Sequence, residues 1–169
     1  MFTLRCTKKL LDKMGRPEII QAETGDDDWY ANLFRLGRKQ SFIFTHAASL
    51  YSFITPGIHK QDFMHINQIF ILELEFQLKR DGFSHESNVE LLERFWDMQI
   101  GKTISRSTLG SMNDMVNCAD YLFDSQGLDV ELEIPRINHS INTTPFKAIS
   151  YKFPIECFSE LYKFPYISE

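Results

Sequence analysis

The chain has 169 residues, 43% hydrophobic and 24% charged, so it can bury enough apolar surface to offset the ordering entropy of one core, and intrinsic disorder is excluded. It is rich in aromatics, with 15 Phe, 6 Tyr and 2 Trp. The net charge is -5, divided into nine Lys/Arg against six Asp/Glu in residues 1–60 and nine against seventeen in 61–169, a segregation too mild for a duplex-DNA footprint.

The alternation Phe2-Thr3-Leu4-Arg5-Cys6 predicts a short strand, and residues 8–14 a short helix stopped by Gly15 and Pro17. An acidic loop over 23–28 leads to an aromatic strand over 29–37. A turn at 37–40 joins it to strands over 41–46 and 49–54, closed by Thr55-Pro56-Gly57; the three read as an antiparallel meander. From Asp62 as N-cap, Phe63, Ile66, Phe70, Leu74 and Leu78 recur at helical spacing as far as Gly82, although 72–78 also alternates as a half-buried strand would. Ser87-Asn88-Val89-Glu90 matches a capping box and predicts a second helix through Trp96. A short strand over 98–104 precedes a helix that starts at Ser107 or Ser111. This helix turns Met112, Met115, Val116, Ala119 and Phe123 inward and Asn113, Asn117, Asp120 and Asp124 outward, and ends at Gly127. Residues 128–142 are ambiguous, with Pro135 placed to open a helix. Residues 146–153 read as a strand, and Pro154 starts a last short helix. Strands early and helices late give an α+β fold: a small, mainly antiparallel sheet with helices packed on one face. It forms a single domain over 1–169 with a C-terminal extension at 155–169. The repeat of Tyr151-Lys152-Phe153-Pro154 as Tyr162-Lys163-Phe164-Pro165 reads as a shared stop signal at two element ends.

No apolar run approaches twenty residues, so no transmembrane helix is expected, and the first residues lack the apolar stretch of a secretory signal. Cys6, Cys118 and Cys157 are odd in number and contain no C-x-x-C pair, which argues against disulfides and zinc and for a reducing, cytoplasmic setting. In that setting the N-x-S/T matches at Asn138 and Asn142 carry no consequence. His46, His59, His65, His85 and His139 are scattered without metal-ligand spacing, and Asp26-Asp27-Asp28 lacks the calcium-loop pattern, so neither a metal nor a cofactor is expected.

The most unusual polar stretch is the hydroxyl-rich 103–114, which runs into a helix. A helix N-terminus offers unpaired N–H groups to an anion, so Arg106, Ser107, Ser111 and Asn113, assisted by Arg38, are candidate phosphate-binding residues. The plainer alternative is that Ser107 or Ser111 caps the helix and Arg106 pairs with a carboxylate. Neither a Walker A loop nor a G-x-S-x-G elbow is present, so no catalytic residue is assigned. Arg35, Arg38 and Lys39 beside Trp29, Tyr30 and Phe34 have the composition of a weak single-stranded RNA binder, against the simpler reading of a hairpin with charged turn residues. Six aromatics within 151–166 exceed what one strand and a short helix ordinarily bury. Phe158, Tyr162, Phe164 and Tyr166, together with Trp29, Tyr30 and Asn32, are therefore candidate interaction residues toward a protein partner or a second copy of the chain.

Leu4-Arg5-Cys6-Thr7-Lys8-Lys9-Leu10-Leu11, Trp29-Tyr30-Ala31-Asn32-Leu33, residues 105–114 and Ala148-Ile149-Ser150-Tyr151-Lys152-Phe153-Pro154 resemble markers of an uncharacterised bacterial domain family. The likeness covers nearly the whole chain apart from 162–169. A similar module precedes an unrelated domain in some plasmid-type open reading frames, which implies a bacterial, intracellular setting and brings no activity with it. The fused relatives keep little of the loop beyond the pair matching Met112-Asn113, which speaks against a catalytic role for Ser107 or Ser111 and favours Asn32 and Asn113 as structural or binding residues. The leading expectation is a non-enzymatic binding module that meets another protein. The alternative is a nucleotide or RNA binder, or a phosphoryl-transfer or phosphodiester enzyme, that uses 105–114.

Overall fold

The computed structural model describes residues 1–123 and 129–167, so Asp124 and the expected helix stop at Gly127 lie outside the described residues. Side-chain alternation along the strands sets the architecture. In β1 (Phe2–Cys6) and β2 (Trp29–Leu36), Phe2, Leu4, Cys6, Trp29, Ala31 and Leu33 join one buried cluster. Tyr30, Phe34 and Leu36 join another. Strands β3 (Lys39–His46) and β4 (Ser52–Pro56) divide in the same way, with Phe42, Phe44 and Phe53 on the first side and Ile43 and Ile54 on the second.

A sheet apolar on both faces needs cover on both. The first face is covered by α1 (Lys8–Lys13), α2 (Ile66–Arg80), α3 (His85–Arg94) and α6 (Pro154–Tyr162). The second is covered by α4 (Arg106–Phe123) and α5 (Val130–Asn142). The fold is α+β as expected, but the helices occupy two faces, not one. The sheet is also mixed. Its order is β4-β3-β2-β1-β5, with antiparallel β2–β3–β4 and parallel β1–β2 and β1–β5, where β5 is Met98–Lys102. The parallel pairings escape a local reading because their partners stand about 25 residues apart for β1–β2 and about 96 for β1–β5, and no turn signal joins them.

Helix boundaries differ from expectation where another cap is better placed. The α3 helix starts three residues early because Ser84 Oγ accepts the Ser87 N–H at 3.2 Å. A 3-10 turn (Lys60–His65) precedes α2, and Asp62 there accepts the His59 N–H at 2.7 Å. Pro135 lies inside α5, not at its start. The strand expected over 146–153 is replaced by a 3-10 turn (Lys147–Ile149), followed by Ser150 and Tyr151 at φ 56° and 60°. The repeated Tyr-Lys-Phe-Pro brackets α6: Pro154 opens the helix and left-handed Lys163 closes it.

Two asparagines on α5 seal the outer edge of β4. Asn138 Oδ1 accepts the Ile54 N–H at 2.9 Å. Asn142 accepts from Ser52 N at 2.8 Å and donates to Ser52 O at 2.7 Å. They stand one helical turn apart on a buried face, so the N-x-S/T matches mark an edge-strand closure.

The surface expected for Trp29, Tyr30 and Phe158 does not exist. All three are fully buried. Trp29 lies at the centre of the first cluster, 5.1 Å between ring centroids from both His46 and Phe70. Tyr162, Phe164 and Tyr166 are half-buried against the same cluster, and Phe153 packs there too; of the six C-terminal rings only Tyr151 stands free, 67% exposed. The two apolar faces of the sheet drew aromatics inward that composition alone could not place, and base stacking on Trp29, Tyr30 and Phe34 is closed for the same reason.

Candidate functional site

The residues proposed to hold an anion do not converge. Ser105, and neither Ser107 nor Ser111, caps α4: its Oγ accepts the Thr108 N–H at 3.1 Å, and its own N–H donates to Tyr30 Oη at 3.0 Å. Arg106 and Ser107 are exposed at that end, Ser111 is buried against the sheet, and Asn113 lies two turns further along. Arg38 belongs to the turn at Gly37, which packs against Phe123 at the far end of α4, about 26 Å from Arg106 at 1.5 Å per residue. Asn32 is a brace: its Oδ1 accepts Thr7 Oγ1 at 2.7 Å, and Thr7 in turn caps α1.

The only close serine–histidine pair among the described hydrogen bonds is sealed. His46 Nδ1 accepts from Ser49, 2.9 Å to Oγ and 3.3 Å to N, which leaves the Nε2–H to donate to Tyr162 Oη at 2.8 Å. The Tyr162 hydroxyl in turn donates a hydrogen bond to Asp27 Oδ1 at 2.7 Å, and Arg94 pairs with Asp27 at 2.9 Å. Burial pushes the imidazole down to about 3, so it is a neutral structural link. With Ser49 and His46 both buried, no substrate reaches them.

The structure instead opens a cleft where the two parallel strands end. Cys6 and Lys102, the last residues of β1 and β5, are register partners, and two adjoining cavities flank them. One, about 450 Å³, is lined by Lys8, Arg16 and Lys102 against the single carboxylate of Asp12. The other, about 590 Å³, is lined by Ile19, Ile20, Ala22 and Ile104 on one hand and by Arg5, Gln21, Glu23 and Lys102 on the other. Ile19 and Lys102 border both, so the two cavities adjoin. Crevices at the carboxyl ends of parallel strands are where open sheets bind ligands, because connections leave in different directions there.

Arg5 builds the wall. Its Nε donates to Asp28 at 2.7 Å, and its terminal nitrogens donate to the carbonyls of Lys102 at 3.2 Å, Ala22 at 3.0 Å and Glu23 at 2.8 Å. The guanidinium thereby ties the 20–25 segment to the ends of β1 and β5, and the Ile20 N–H completes the seam on Ile100 O at 2.9 Å. Gly101 permits this closeness, since a Cβ there would lie 2.7 Å from the Thr3 methyl. After α1, Gly15 and Arg16 both take positive φ, 75° and 55°, and turn Arg16 back toward the cleft. Burial pushes the Cys6 thiol up to about 12, so the one sulfur in the cleft is protonated and unreactive.

Sequence reasoning missed Lys8, Arg16 and Lys102 because each looks like an ordinary surface cation. Only the β1–β5 pairing brings them together. No group of three or more His, Cys, Asp or Glu able to hold a metal occurs among the described residues, and no helix among them is long and apolar enough to cross a membrane.

Residues 3–157 match the family model of a domain of unknown function, DUF6933. No curated protein matches the chain.

Proposed function

The chain belongs to the DUF6933 family, and we propose that it is a non-enzymatic binding module whose ligand is a small organic anion held in the cleft at the ends of β1 and β5. One observation carries this reading: three cations face one carboxylate in a protein whose net charge is -5. A phosphate or carboxylate head sits among Lys8, Arg16 and Lys102, and an apolar or aromatic body extends past Ile19 into the larger compartment. The protonated Cys6 supports binding without chemistry. The free cysteines Cys6, Cys118 and Cys157 support a cytoplasmic location.

The test is titration calorimetry with phenyl phosphate, phenylacetate and inorganic phosphate. The aryl anions bind more tightly than phosphate alone, Lys102→Glu abolishes binding, and Arg106→Ala leaves it unchanged. Equal affinities in wild type and Lys102→Glu refute the assignment.

A further inference from the structure

A separate cavity of about 320 Å³ lies between the C-terminal ends of α2 and α5 and the start of α6, and two carboxylates, Asp81 and Glu156, share it with Arg80 and His139. At its base is Asp81, the residue that caps α2 and is 8% exposed. One carboxylate oxygen is fixed: Oδ2 accepts from Tyr51 Oη and, at 2.9 Å, from Gln77 Nε2. Gln77 is held in turn by Asn138 Nδ2 at 3.0 Å, and Asn138 is anchored on the Ile54 N–H. This chain of bonds orients the carboxylate rigidly, while Oδ1 accepts no hydrogen bond among the described residues.

A carboxylate taken this far out of water is costly unless opposite charge offsets it, and burial raises the pKa of Asp81 above the ordinary range even though its hydrogen bonds from Tyr51 and Gln77 and the nearby His139 and Arg80 act to lower it. The surroundings favour a cation. Glu156 lies on the same cavity, two helices present their C-terminal, partially negative ends against the one N-terminal end of α6, and the aromatic residues Phe153 and Tyr166 line it. The positive groups on the cavity, Arg80 and His139, are both exposed, and both act on the Asp81 carboxylate from the rim. The C-terminal segment closes the cavity, with the Ile167 N–H bonded to Gly82 O at 3.2 Å and Tyr166 bridged to Phe83. Tyr166 and Ile167 lie beyond residues 3–157, which match the family model.

We propose that this cavity binds a small organic ammonium ion, a primary amine of a few carbons, with its charge between Asp81 and Glu156 and its alkyl chain against Tyr166 and Phe153. The volume is at the small end of ligand pockets, which suits such an ion and excludes a nucleotide.

Titration calorimetry on the full chain with 1,4-diaminobutane, against sodium chloride of matched ionic strength, tests the assignment. The amine gives saturable binding that sodium chloride does not. Asp81→Asn weakens it at least about tenfold, the cost expected for losing a charge-assisted hydrogen bond. Asp81→Asn also alters the Tyr51 contact, so Glu156→Gln, which leaves that buried chain intact, serves as the second variant and weakens binding measurably. Absence of saturable binding to the wild type, or an affinity unchanged in both Asp81→Asn and Glu156→Gln, overturns the proposal.

Discussion

Replacing Arg5 by Met removes the charge and the donors while keeping a long apolar side chain beside Gly101, so the loss isolates the hydrogen-bonded strut. Arg5 and Asp28 have side chains only 2% and 5% exposed, and Asp28 would retain just the N–H groups of Thr3 at 3.4 Å and Gly25 at 3.1 Å. The carbonyls of Ala22, Glu23 and Lys102 lose their donor at the same time. Breaking a buried pair by removing one partner costs about 3–5 kcal/mol. With an unfolding entropy of about 2.1 cal/mol/K per residue, a chain of 169 residues loses roughly 3 °C per kcal/mol, so Arg5→Met should melt about 8–14 °C below the wild type. Thermal unfolding followed by circular dichroism measures this. Asp28→Leu combined with Arg5→Met should recover part of the loss, because an apolar pair leaves no orphaned charge. A single variant melting within about 3 °C of the wild type would refute the role of Arg5 as the strut of the cleft.

His46, unprotonated in the fold down to about pH 3, makes stability depend on pH. The unfolded chain binds the extra proton between about pH 6.5 and 3, so stability is complete above 6.5 and falls on acidification by up to about 1.4 kcal/mol per pH unit. Asp81 has the opposite sign, since its raised pKa means that its ionisation weakens the fold as pH rises. Comparing urea unfolding of wild type and His46→Gln from pH 7 to 4 cancels the Asp81 contribution and should show the flatter profile in the variant; parallel profiles would exclude His46 as the sensor. Asn138→Ala and Asn142→Ala each leave a buried β4 amide without its acceptor and should cost about 1–3 kcal/mol in urea unfolding. The double variant exposes the edge and should self-associate at high concentration, as sedimentation would show. Thiol labelling should spare Cys6 in the native protein and reach all three cysteines in denaturant, with native modification of Cys6 contradicting its burial.

Local signals located most of the elements. Alternation and aromatic content marked β1 to β4, the spacing of Phe70, Leu74 and Leu78 marked α2, and Pro154 marked the start of α6. What the sequence hid was set by distance along the chain. Nothing near Met98 announces that it pairs with Phe2, and without that pairing Lys102 is one more exposed lysine. The second face of the sheet was obscured for a related reason. Tyr30 alternates with Trp29, and a strand buried on both sides looks from its sequence like one with an aromatic surplus to expose. At the hydroxyl-rich loop the residue types were read correctly for a helix start, but Ser105 fits the backbone of the cap, so the residues after it point along and around the helix instead of toward a shared point.

The uneven charge along the chain acquires its meaning from the two cavities. The first sixty residues, with three more cations than anions, supply Lys8 and Arg16 to the cleft, and the Arg5–Asp28 pair in its wall cancels internally. The remainder, with eight more anions than cations, supplies Asp81 and Glu156 to the other cavity and lends only Lys102 to the first. The overall charge of -5 therefore repels an anion from afar and draws a cation in, so the two cavities do not start from equal footing. An anion is held only by contacts made inside the cleft, within a Debye length of its three cations, whereas an ammonium ion gains from the whole molecule before it reaches Asp81. This difference explains why the cleft concentrates its positive groups around one carboxylate, while the amine cavity tolerates Arg80 and His139 at its exposed rim.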